Sequence, residues 1–165
     1  MKNRMMSNRY FWMLLFCLTL GTNVLMAQAT ETVTLYVDTD RLQNNTPANE
    51  VNNYCNFGQD PSISNEDYLI EVNVGDVVNW RGVANNGVDI VNIEKIIVQG
   101  GPNPFPADRD ELDGGGDGGR VVSVQMARAT GNETCKYMVK FSIQRGDAPV
   151  ARIFDIDPRL RVMQE

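Results

Sequence analysis

The stretch "YLIEVNVGDVVNWRGVA", Tyr68 to Ala84, decides how the rest of the chain is read. Tyr68, Ile70, Val72 and Val74 recur every second residue, the period of a strand that buries one face. Gly75-Asp76 supplies turn chemistry, and "VVNWRG" then resumes an extended pattern. The reading is strand, tight turn, strand. Trp80 in the second strand is expected between sheets, in the core, with an exposed ligand platform as the alternative. Small secreted copper proteins open a strand in a similar way, but a blue-copper centre takes two histidines and a cysteine. This chain has no histidine, so that chemistry is excluded. The same absence removes the commonest zinc ligand and the usual general base for a Ser or Cys nucleophile.

Working outward, the β pattern continues. "TVTLYVD" alternates Val33, Leu35 and Val37 against Thr32, Thr34 and Tyr36. "VDIVNIEKIIV" is rich in β-branched residues, and "RVVSVQM" puts Val122, Val124 and Met126 together. "TCKYMVKFSI" alternates most cleanly, with Cys135, Tyr137, Val139, Phe141 and Ile143 inward and Lys136, Lys140, Ser142 and Gln144 outward. "VARIFDI" and "LRV" close the chain. Past the N-terminal segment no window shows helical spacing. Short strands divided by Gly, Pro, Asn and Asp predict one all-β domain, a two-sheet antiparallel β-sandwich of jelly-roll or immunoglobulin-like form. Two long polar connections stand out, Gln43 to Asp67 and Gly100 to Gly119, and connections of that length are functional or disordered.

Residues 1–29 read as a signal peptide rather than as fold. Lys2, Arg4 and Arg9 precede an apolar run, Phe11 to Met26, and Ala27-Gln28-Ala29 has the small-x-small form of a cleavage site. The run is short for a spanning helix. Cleavage near Ala29 predicts an exported protein, periplasmic or extracellular, with the sandwich domain at 30–165 and no membrane anchor. It removes three basic residues and no acidic one, so Lys+Arg falls from 15 to 12 against 21 Asp+Glu, a net charge of −9. That balance excludes nucleic acid and anionic membrane surfaces as partners. Cleavage also leaves two cysteines, Cys55 and Cys135, which are expected to pair as exported cysteines do. Such a bridge would stabilise by about 4–5 kcal/mol on the chain-entropy estimate, and two buried free thiols are the alternative.

One stretch has the chemistry of a metal site. In "DRDELDGGGDGG", Asp108, Asp110, Glu111, Asp113 and Asp117 stand among glycines. Calcium takes six to eight oxygens from a flexible loop, backbone carbonyls included, and the spacing is not that of an EF-hand. The rival reading is a solvated acidic loop.

Three short motifs recur in order along the chain: Asp38-Thr39-Asp40 in "LYVDTDRL"; Val74-Gly75-Asp76 with Arg81-Gly82 in "VNVGDVVNWRG"; and Asp157-Pro158 in "FDIDPRLRV". Together they resemble the AidA/PixA family of bacterial inclusion-body proteins over about Leu35 to Val162. The resemblance implies a sandwich that self-associates and no catalytic residues. The export segment and the glycine-aspartate insertion are this chain's own. Each motif also has a plain structural explanation: the aspartates end strands, the glycines serve the backbone, and Asp-Pro fixes a turn. The expectation is an exported, non-enzymatic protein acting by self-association or binding. The alternatives are a calcium-dependent glycan-binding module and, third, an enzyme that works through carboxylates alone.

Overall fold

Alternation in the sequence becomes burial in the structure, a computed structural model that describes residues 28–115, 121–150 and 152–164. Its strands are β1 (Thr30–Val37), β2 (Cys55–Asn56), β3 (Leu69–Asn73), β4 (Val77–Ala84), β5 (Ile90–Gly100), β6 (Glu111–Asp113), β7 (Val121–Gln125), β8 (Cys135–Gln144), β9 (Ile153–Ile156) and β10 (Arg159–Met163). Val33, Leu35 and Val37 of β1 point inward, as do all five predicted residues of β8. Two sheets result, in the orders β2-β1-β4-β7 and β3-β10-β8-β5-β6, with β9 also paired to β8. The all-β two-sheet expectation holds. The expectation of purely antiparallel sheets does not: β1 runs parallel to β4, and β10 runs parallel to β3.

The reason lies in the opening stretch. Val74-Gly75-Asp76 is a tight turn, but it joins two sheets instead of closing a hairpin. Gly75 has φ +95°, a conformation that costs other residues a steric penalty. Its N–H donates to the Met126 carbonyl at 2.9 Å, and Val74 N–H donates to Met163 O at 3.0 Å. The Asp76 carboxylate accepts from Asn73 N–H at 2.8 Å and from Ala29 N–H at 3.0 Å, so one side chain ties the end of β3 to the start of β1. β3 thus stays in the second sheet beside β10 while β4 enters the first. There β4 meets β1 in parallel, with Val33 opposite Trp80 and Leu35 opposite Gly82.

The facing interiors meet at an aromatic cluster. Trp80 is core: its ring sits edge-on to Phe105 and Tyr137, with centroids 6.2 and 5.7 Å away. Its indole N–H donates to Tyr137 Oη at 3.1 Å, a hydrogen bond that crosses from one sheet to the other. Gly82 marks another close approach, because a Cβ there would lie 2.6 Å from the Val91 carbonyl oxygen of β5. Ser142, expected outward on β8, is fully buried and donates its hydroxyl to the Glu94 carboxylate. The described residues of the two long connections are structured. Gln43 to Asp67 holds β2 and the 3-10 turns Ala48–Tyr54 and Asn65–Asp67, while Phe105 and Leu112 pin the other connection into the core.

Candidate functional site

One end of the sandwich gathers the three residues of the first motif, Asp38, Thr39 and Asp40, with side chains from the β4–β5 turn. Asp38 follows β1, and its N–H donates to Tyr54 O at 2.8 Å. Thr39, buried, donates from its N–H and its hydroxyl to Asn85 Oδ1 at 2.9 and 3.2 Å. Asn85 Nδ2 then donates to Asp38 Oδ1 at 3.2 Å and Asp40 Oδ2 at 3.4 Å. Asn86 Nδ2 bridges Asp40 Oδ1 and Asp89 Oδ2 at 3.1 and 3.0 Å. Arg145 completes the cluster, donating to Thr39 O at 2.9 Å and Leu42 O at 2.6 Å. Asp-Thr-Asp therefore does more than end a strand: it clasps the β4–β5 turn. Its carboxylates are occupied by amide donors, which fits a structural clasp better than a cation site.

Beside the clasp runs a groove of about 800 Å³, formed by the two 3-10 turns and β2. Asn65, buried, forms part of its floor. Its Nδ2 donates to Cys55 O at 2.9 Å, and its Oδ1 accepts from Gln59 Nε2 at 2.8 Å. Phe57 stacks on Tyr68 at 4.8 Å with the rings within 9° of parallel, fixing the segment to the core. Asn52, Asn53 and Asn56 stand exposed along the groove. An adjoining depression of about 430 Å³ is lined by Tyr36, Tyr54 and Asn85 among others. Asn85, Asn86 and Arg145 were not singled out from the sequence. Only the Asn-rich character of the connection signalled this region, because the contact between Asp38 and Asn85 spans 47 positions.

The described part of the acidic stretch is engaged in local pairing. Glu111 and Asp113 lie on β6 and both engage Lys95 of β5, at 2.8 and 3.1 Å. The bond to Glu111 is the larger cause that raises the Lys95 pKa above its ordinary value, ahead of the bond to Asp113. Asp110 accepts from Asn103 Nδ2 at 3.0 Å. Asp117, and the side chain of Asp108, lie outside the described residues. Among the described residues no group of three His, Cys, Asp or Glu could hold a metal ion.

The expected Cys55–Cys135 bridge is absent from the structure, where both thiols are free and buried. Cys55 sits on the edge strand of the first sheet opposite Val37, and Cys135 opens β8 of the second sheet opposite Leu160. Burial pushes the Cys55 thiol up to about 12, with the nearby Asp38 charge adding to the shift. Burial alone pushes Cys135 to about 11. Thiols this reluctant to ionise are poor nucleophiles and poor metal ligands at neutral pH.

The remaining motif residues are structural. Arg81 Nε donates across the parallel pair to Thr34 Oγ1 at 3.1 Å. Asp157 holds Lys136 at 2.7 Å, and Pro158 O accepts from Tyr137 N–H at 3.1 Å, so Asp-Pro forms the jog by which β9 hands over to β10 along one side of β8.

No family model matches the sequence, and no curated protein matches it. A solved structure does. The inclusion body protein PixA from Burkholderia cenocepacia J2315 superposes with a TM-score of 0.56, covering 87% of this chain and 100% of that one at 13% identity. At that identity the likeness is one of fold. The motif resemblance to the AidA/PixA family is matched to that extent.

Proposed function

We propose that the protein is an exported, non-enzymatic, PixA-like β-sandwich that acts by associating with copies of itself. The observation that carries this reading is the fold match, which spans the whole of a protein described as an inclusion body protein. A histidine-free sequence adds support for the non-enzymatic part. The sheet edges, β2 and β7 in the first sheet and β3 and β6 in the second, support this reading unequally. β2 is only two residues long, and β6 carries a charged cluster with Lys95, both devices that discourage edge pairing. β7, five residues long, is the other edge of the first sheet. Met126 N–H donates inward to Asp76 O at 2.8 Å, so the antiparallel alternation turns the N–H groups of Ser123 and Gln125 outward.

Sedimentation velocity over a wide concentration range tests this. A dimer or larger assembly is expected at micromolar concentration, strengthened by added salt because screening reduces repulsion between like-charged copies. Ser123→Pro should abolish it with the fold retained, since no inward hydrogen bond is lost; Ser123→Lys is the second arm. A strict monomer at every concentration and salt overturns the proposal. The calcium-dependent glycan reading is the alternative, with less support because Lys95 already engages both Glu111 and Asp113.

A further inference from the structure

We infer that the Asn-lined groove beside β2 is a calcium-independent binding site for a neutral oligosaccharide. It lies on a different edge from β7 and is independent of self-association. Four observations point to that ligand class. The lining is rich in amides and holds two carboxylates, Asp60 and Glu66, but no Lys or Arg, so anions such as phosphate find no counter-charge.

Three backbone groups at and just after β2 are already taken by side chains, which disfavours a peptide adding there as a strand. Cys55 O accepts from Asn65, Phe57 N–H donates to Gln59 Oε1 at 2.6 Å, and Gly58 N–H donates to Asn56 Oδ1 at 2.9 Å. Recognition therefore falls mainly to side chains. Among the described residues, Asn53 makes no side-chain hydrogen bond, and the Nδ2 groups of Asn52 and Asn56 have no acceptor. Planar amides that both donate and accept match sugar hydroxyls, which do the same.

The third observation is an aromatic platform. Tyr36, 44% exposed, lines the adjoining depression and could stack on the apolar face of a sugar ring. The fourth is preorganisation. Asn65, Gln59 and the Phe57–Tyr68 stack hold the groove in shape, so little order has to be imposed on binding.

The test is a backbone-amide NMR titration of the processed protein in chelator, with maltohexaose, cellohexaose and chitohexaose as probes and inorganic phosphate as the control. Fast-exchange shifts confined to residues 52–66 and Tyr36 are expected with at least one oligosaccharide, and none with phosphate. Asn53→Ala with Asn56→Ala, both exposed and outside the core, should weaken binding by about tenfold. Tyr36→Ala should weaken it separately. The inference is overturned if no oligosaccharide moves these resonances at low-millimolar concentration. It is also overturned if the shifts survive the double substitution, or if binding appears only when calcium replaces the chelator.

Discussion

Removing the hydroxyl of Tyr137 tests whether the two sheets are locked by a polar contact or only by apolar packing. Tyr137 and Trp80 are 0% and 1% exposed, and the indole N–H donates to Tyr137 Oη at 3.1 Å. Tyr137→Phe deletes the acceptor and strands a buried N–H, a loss of about 1–3 kcal/mol. Trp80→Phe strands the Tyr137 hydroxyl instead and opens a void beside Phe105, so it should cost about 3 kcal/mol or more. The double variant has no orphaned group. Its loss should fall short of the sum of the single losses by about 1–2 kcal/mol. Urea unfolding followed by far-UV circular dichroism is the assay, because the chain's second tryptophan, Trp12, lies in the predicted signal peptide and Trp80→Phe would leave the processed protein without an indole reporter. Midpoints should move at constant m. Additivity within about 0.5 kcal/mol, or a neutral Tyr137→Phe, would refute the cross-sheet hydrogen bond as a stabilising element.

Other substitutions and conditions follow from the same structure. Gly82→Ala forces a methyl to 2.6 Å from Val91 O, so it should destabilise by about 1–3 kcal/mol. Val91→Ala should rescue it only in part, since the carbonyl remains; full rescue in thermal melts would contradict the close backbone approach. Cys55 has a folded pKa raised from 9.0 to about 12, so its contribution is complete below pH 9 and is lost as pH climbs toward 12. For this group alone the alkaline limb of the stability curve should fall by up to about 1.4 kcal/mol per pH unit, and Cys55→Ala should make the limb shallower while leaving the share due to Cys135. A Cys55–Cys135 disulfide in protein isolated from its native compartment would remove the thiols' share of that limb and would show as a joined peptide in non-reducing digests. If the acidic loop takes calcium, Lys95 must release its two carboxylates. Lys95→Gln should then enlarge any melting-temperature rise in millimolar calcium, and no rise in either protein would end the idea.

What could be seen in the sequence was the part governed by neighbours along the chain. Val33, Leu35 and Val37, and the five alternating residues of β8, had to face inward once strands were assumed, because a side chain's face depends only on its position in the pleat. Ser142 broke the pattern because its burial depends on Glu94, a residue 48 positions away that supplies a carboxylate to its hydroxyl. The Val-Gly-Asp turn was legible as a turn and illegible as a sheet crossing. Turn chemistry specifies the bend of four residues, whereas pairing is decided by what each flanking strand finds: Ala29 and β1 on one side, Met163 and β10 on the other.

The polar residues divide along the same line. Density of charge drew the reading to the stretch from Asp108 to Asp117, yet Glu111 and Asp113 entered a strand whose partner carries Lys95, and both carboxylates engage that one ammonium. Single aspartates that could be explained as strand ends, Asp38 and Asp40, meet Asn85 and Asn86 across 45 to 47 positions and hold the end of the sandwich together. The exposed asparagines beside that clasp are among the described side chains that keep hydrogen-bonding capacity the fold leaves unused. An amide that packing does not consume is free to meet a ligand, and that remainder becomes countable only once the long-range partners are known.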